Sequence, residues 1–161
     1  MNTSFEGNTY TGTDEWLTPP ELIKACGEFD LDPCSPVGRP WDTANLHYTI
    51  REDGLKTPWR GRVWCNPPYG ALAGKFLAKC AEHGNAVALV FSRCETEWFQ
   101  ENVWGKADAI LFIKGRIRFY KITGERGGSP GVGSVLIAYG AQNVEALENC
   151  GIEGKLVYIN G

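Results

Sequence analysis

Apolar residues along this chain fall into two alternating patterns. Ala86 to Phe91 and Ala109 to Ile113 are uninterrupted apolar runs, the pattern of strands covered on both faces. Between and around them run helical periods. Leu72, Phe76, Leu77, Cys80 and Ala81 share one helix face, and Trp98, Phe99 and Val103 share another on a helix predicted over 95–104. Arg62 to Cys65 reads as a further buried strand. Val135 to Tyr139, Ile117 to Tyr120 and Leu156 to Ile159 read as strands near the C-terminal end. Thr18-Pro19-Pro20-Glu21 predicts a helix start, with Thr18 as N-cap and Glu21 closing a capping box, and the helix runs to about Gly27. Phe29 to Asp32 alternates and is stopped by Pro33, as a short strand would be. Residues 35–60 are rich in turn formers and predict a long ordered loop. Asn143 is placed to cap a short helix ending at Asn149 before Gly151. Buried strands alternating with helices and ending in strands predict a three-layer α/β domain.

Composition narrows the class. A chain of 161 residues suits one domain, and 43% hydrophobic residues with six Trp exclude a disordered protein. No stretch approaches the ~20 apolar residues of a membrane span. Residues 1–12 are polar and predict a flexible N-terminus without a signal peptide, and a single domain over 13–161. The six cysteines include no CxxC pair and several sit in apolar runs, so they read as reduced, buried residues of a cytoplasmic protein. Two histidines, His47 and His83, do not supply a metal cluster, and no metal is expected. Net charge is −3, yet residues 114–126 carry Lys114, Arg116, Arg118, Lys121 and Arg126 against the single acid Glu125. Glycines at 124, 127, 128, 131 and 133 follow or interleave with them.

The chemistry concentrates in Asn66-Pro67-Pro68-Tyr69. The tetrad closes a predicted strand and precedes Gly70 and a helix, which places it at the carboxyl edge of the sheet, where α/β folds bind ligands. Asn66 offers an acceptor and a donor, Pro67 leaves its carbonyl free, and Tyr69 offers a flat face. Such a set suits an exocyclic amino group on a planar system, an adenine or a glutamine amide, and taken alone it is also a rigid Pro-Pro turn. Leu31-Asp32-Pro33-Cys34 is a strand ending in an Asp-Pro turn, and Ser35-Pro36-Val37-Gly38 after it lacks a Gly-x-Gly. Asp14-Glu15-Trp16-Leu17-Thr18-Pro19 is by itself a helix cap with a packed Trp.

Taken in order, these segments resemble the phage-type DNA N-6-adenine methyltransferases, a small single-domain family of phages and prophages. The resemblance runs from about Glu15 to Tyr139. It is carried by EWLTP, LDPCSP, Glu52-Asp53-Gly54-Leu55, Trp59 through the NPPYG run, Ser92-Arg93 to Trp98, and Gly115-Arg116-Ile117-Arg118-Phe119 followed by Gly133-Ser134-Val135-Leu136. The absent Gly-x-Gly is shared with that family. The resemblance implies a Rossmann-like methyltransferase fold with a mixed, mainly parallel sheet. It implies S-adenosylmethionine near Trp16, Thr18, Asp32, Pro33 and Cys34, and methyl transfer at Asn66, Pro67, Pro68 and Tyr69. It also implies a phage- or prophage-encoded enzyme working on double-stranded DNA in the bacterial cytoplasm. Asp53 is a candidate cofactor contact or a solvated loop acid. An enzyme that modifies a base in a duplex must flip it out, and residues 114–133 form the expected DNA-facing element, with Lys114, Arg116, Arg118 and Lys121 as contacts. His47 reads as structural, Tyr48 is a minor candidate, and Arg93 reads as a ligand contact or a salt bridge. Alternatives from the residues alone are methyl transfer to RNA adenine or to protein glutamine, and a non-catalytic DNA-binding or interaction protein of the same fold.

Overall fold

The buried runs assemble into one seven-stranded sheet. The computed structural model describes residues 16–128 and 130–159. The sequence-based expectation of a flexible segment at 1–12 therefore lies outside the described residues. In chain order the elements are β1 (Trp16–Leu17), α1 (Pro20–Ala25), β2 (Leu31–Asp32), β3 (Leu46–His47), β4 (Val63–Cys65), α2 (Ala71–His83), β5 (Ala86–Phe91), α3 (Glu97–Phe99), β6 (Ala109–Ile113), β7 (Tyr120–Lys121), β8 (Ser134–Tyr139), α4 (Ala141–Asn149) and β9 (Gly154–Tyr158). The main sheet has the order β3-β2-β4-β5-β8-β6-β9. Its first four strands are parallel; β8 runs antiparallel to both β5 and β6, and β9 antiparallel to β6. Following those directions across the sheet, β6 points the same way as β5, so only β8 and β9 run against the rest. The expected mixed, Rossmann-like α/β sheet is present.

Alternation along the strands divides the core in two. Val63, Cys65, Ala86, Ala88, Val90, Ile110 and Ile137 face α2 and the 97–104 helix through Phe76, Leu77, Cys80, Phe99 and Val103. Trp64, Val87, Leu89, Phe91, Ala109, Leu136 and Ala138 face the other way, toward Ile23, Cys26 and Leu147. Helices thus cover both faces, which gives three layers. All six cysteines are free thiols and four of them are buried.

Several local expectations are corrected. Thr18 does not cap α1: Pro19 holds the N-cap position and no side chain bonds to the helix start. Thr18 is instead 3% exposed and turned toward Asn66. Asn143 does not cap α4 either. Gly140 precedes that helix, and Asn143 lies within it, fully buried, donating to the Asn85 side chain (2.8 Å) and the Tyr139 carbonyl (2.9 Å). The 97–104 helix begins with Thr96 accepting from the Phe99 N–H and widens to a π-helical turn over Gln100–Trp104. Residues 117–119 are not a strand; only Tyr120 and Lys121 pair, antiparallel to Leu17 and Trp16, in a separate two-stranded ribbon. The 35–60 region contains the edge strand β3, too short to show a period.

That region is pinned by side-chain donors from Lys79 and Trp59. Lys79 Nζ donates to the carbonyls of Gly54 (3.0 Å), Leu55 (3.1 Å) and Thr57 (2.8 Å), and Trp59 Nε1 donates to Gly54 (2.8 Å). Gly54 is required there because a Cβ would fall 2.0 Å from the Pro33 carbonyl oxygen. The Glu52–Leu55 segment thereby braces the turn that follows β2.

Candidate active site

Strand order reverses between β2 and β4: from β2 the chain goes outward to β3, then returns to β4 on the other side. Ligands of open α/β sheets bind outside the carboxyl ends of strands at such a switch point. Asp32 is the last residue of β2 and Asn66 follows the last residue of β4. Beneath them Cys34 Sγ and Cys65 Sγ lie 3.6 Å apart, with the Cys80 thiol also against Cys65. The Asn66 N–H points to the Cys34 sulfur.

Asp32 is 5% exposed. Its carboxylate accepts from the Cys34 N–H (3.1 Å) and from the Thr43 hydroxyl. Burial outweighs both bonds and the nearby Arg39, and its pKa is pushed up to about 6. Pro33 and Cys34 are buried in the turn behind it, and burial pushes the Cys34 thiol up, so it stays protonated. Asp53 sits at φ 57, its carboxylate accepting from the Leu55 N–H and 4.0 Å from Lys56 Nζ. It shapes its own turn.

The tetrad is supported from three sides. Among the described residues, the Asn66 side chain makes one hydrogen bond, from Nδ2 to Thr18 Oγ1 at 3.3 Å. Pro67 is buried. Tyr69 stacks on Phe91 with ring centroids 4.7 Å apart and planes 2° from parallel, and Phe91 meets the Phe119 ring edge-on at 6.2 Å. Burial raises the Tyr69 hydroxyl well above its ordinary pKa, so the phenol is neutral. Gly70 takes φ 85, a left-handed turn that lets α2 begin directly after the tetrad.

The β1–β7 ribbon brings the basic segment to this site. Trp16 pairs with Lys121, and its ring lies so close to Gly127 that a Cβ there would be 2.6 Å away. Arg116, Arg118 and Arg126 line one surface groove of about 370 Å³ with Glu21, over Leu22, Ile117 and Ile152. Arg118 Nε donates to the Gly127 carbonyl (2.9 Å), while the Arg126 guanidinium stacks 4.8 Å over Tyr120 and donates to its hydroxyl. Lys121 is exposed. Lys114 stands outside the groove lining, in an exposed ion pair with Glu153 at 3.6 Å.

His47, Tyr48 and Arg93 make contacts within the protein. His47 Nε2 accepts from the Thr43 N–H (3.1 Å) and more weakly from Ala44, and burial, then Arg39, lower its pKa. The Tyr48 hydroxyl donates to the Pro58 carbonyl. Arg93 pairs with Glu95 at 2.9 Å. Sequence reasoning missed Thr43, Phe91 and the place of Arg126 in the groove. Phe91 closes an apolar run and could be told from its neighbours only by its position level with Tyr69.

The model of the DNA N-6-adenine-methyltransferase (Dam) family matches residues 8–138. The chain belongs to that family. No curated protein and no solved structure matches it. The Dam-family match runs from before Trp16 through the β2 and β4 ends and past the arginines, and stops short of α4 and β9. Among the described residues no group of three or more His, Cys, Asp or Glu is arranged to hold a metal, and no helix is long and apolar enough to cross a membrane.

Proposed function

We propose that this Dam-family protein transfers a methyl group from S-adenosylmethionine to the N6 amino group of an adenine flipped out of double-stranded DNA. The observation that carries the reading is Asn66 itself. At the sheet's switch point its amide is bonded through nitrogen to Thr18, leaving Oδ1 as an acceptor beside the Tyr69–Phe91 stack.

The residues present fit the cofactor. A carboxylate buried at the end of β2, with two chain donors and a pKa still raised to about 6, lacks donors to complete its shell. Hydroxyl or ammonium groups of a ligand would supply them. Asp32, with Pro33 and Cys34 in the same turn, Trp16, the main chain of Thr18, and Asp53 on the braced loop, are the residues assigned to hold S-adenosylmethionine. When bound, the cofactor supplies a methyl group activated by a sulfonium.

This chain then has to orient and to exclude water. Asn66 Oδ1 and the Pro67 carbonyl accept the two amino hydrogens of adenine and turn the nitrogen lone pair outward. Tyr69, its plane set by Phe91, carries the ring. No residue need act as a strong base, because the amino nitrogen becomes acidic as the methyl group adds. Positioning of this kind supplies much of the acceleration. Arg116 and Arg118, with Arg126, Lys114 and Lys121, take the phosphates that flank the flipped nucleotide. The setting proposed is the cytoplasm of a bacterial host, with the gene carried by a phage or prophage, and residues 13–161 acting as one methyltransferase domain.

Sequencing for N6-methyladenine in DNA incubated with the protein and S-adenosylmethionine tests the reading. Methyl marks from the wild type and none from Asn66→Ala are expected. Methylation of RNA or of glutamine in place of DNA adenine, or no cofactor binding by calorimetry with or without DNA, would overturn it.

A further inference from the structure

Thr18 carries a task that its expected place beside the cofactor does not explain. Its hydroxyl is 3.3 Å from Asn66 Nδ2, across 48 residues of chain. Thr18 is 3% exposed, follows β1 directly and precedes Pro19, whose φ of −54° is set by its ring. The ribbon with β7 braces the same backbone from the other side. The hydroxyl is therefore held in place.

An amide has two unlike ends. Presented through Oδ1, Asn66 accepts a hydrogen from an amino group; rotated by half a turn, it would set its own N–H bonds against those of the substrate. Proline residues at 67 and 68 hold the backbone of the tetrad but leave the side-chain torsion of Asn66 unrestrained. Thr18 Oγ1 is the group that meets the amide at its nitrogen end. We propose that Thr18 is a positioning residue that, bonded to the amide nitrogen, holds the Asn66 side chain at a fixed torsion with Oδ1 left for the substrate amino group. The inference rests on the proposed adenine methyl transfer and concerns which atom of Asn66 faces the substrate.

The experiment uses the full chain, duplex DNA and saturating S-adenosylmethionine. Thr18→Val keeps the shape and removes the hydroxyl, and kcat should fall by about tenfold or more once the half-buried Asn66 amide is no longer held toward the substrate. Cofactor affinity, measured by calorimetry, should stay within about twofold of wild type, because the lost interaction belongs to the chemical step. Thr18→Ser keeps the hydroxyl and should restore kcat. Thr18→Ala should follow Thr18→Val, since the hydroxyl and not the methyl group is at issue.

Weakened cofactor binding in Thr18→Val with kcat preserved at saturation would overturn the proposal and make the hydroxyl a cofactor contact. Equal losses in Thr18→Ser and Thr18→Val, or wild-type kcat in Thr18→Val, would overturn it as well. A wild-type protein that leaves adenine unmethylated would instead overturn the functional reading. An active wild type with an equally active Thr18→Val would remove only the role of Thr18.

Discussion

The two ends of β4 carry polar side chains in opposite conditions. At its start Arg62 is 8% exposed and each guanidinium nitrogen donates to the protein: Nε to Asn143 Oδ1 (2.7 Å), Nη2 to the Cys26 carbonyl (2.6 Å) and Nη1 to the Glu28 carbonyl (3.1 Å). The Phe29 ring lies 4.2 Å beneath it. At the other end, among the described residues, Asn66 has one long side-chain bond and a carbonyl oxygen that receives none. Both residues belong to the same matched segment of the family. The difference separates their work. A side chain whose every nitrogen meets a protein acceptor ties elements together, here α1, β4 and α4. A side chain held at one end and open at the other is free to meet the substrate of the proposed reaction.

Four experiments sharpen or break that contrast. The largest effect belongs to Asn66→Ala, where transfer should fall by about a hundredfold or more while cofactor binding persists, the pattern of an interaction made only in the transition state. Wild-type turnover in that variant would put the two ends of β4 on the same footing. Arg62→Met should do the reverse. Losing the guanidinium leaves two buried acceptors unpaired, Asn143 Oδ1 and the Cys26 carbonyl, and should destabilise the fold by about 3 kcal/mol, read as a lower unfolding midpoint, with turnover at low temperature near wild type. A catalytic defect without a stability defect would count against the assignment.

Smaller effects are expected farther out. Reversing charge at Arg116 and Arg118 together should weaken DNA binding and lower the salt-dependence slope by about two, close to one for each phosphate no longer neutralised. Unchanged binding and slope would remove the groove from the DNA surface. The smallest effect is at Asp32. Its native pKa of about 6 lies above the unfolded value, so the native state binds the extra proton and Asp32 favours folding least where it is ionised. Stability of the wild type relative to Asp32→Asn should fall as pH rises from about 4 to about 6 and level off above that. A difference that instead grows in favour of Asp32 over that range would show a carboxylate already completed by the protein.

Legibility in the sequence follows burial. The limits of β5 and β6 coincide with their apolar runs, because a strand buried on both faces admits no polar residue until it leaves the sheet. β4 falls within one residue of its expected span for the same reason. β1, β3 and β7 are two residues long and are defined only by the strands they pair with. No local period can announce such elements. The π-helical turn at Gln100–Trp104 is likewise invisible in the sequence, since the spacing of Phe99 and Val103 suits one buried face under either winding.

The same division runs through the site. Residue types alone determined that Asn66, two prolines and Tyr69 stand after a buried strand, and so where an amino group could be received. They also determined that Asp32 ends a second strand and that cations cluster beyond Lys114. What they left undecided was which group each polar atom meets. Thr18 illustrates it: helix-start rules give its hydroxyl to the next turn of chain, whereas the fold gives it to Asn66, 48 residues away. Local rules weigh only partners within a turn, and a side chain buried between strands takes its partner from whichever segment the sheet brings alongside.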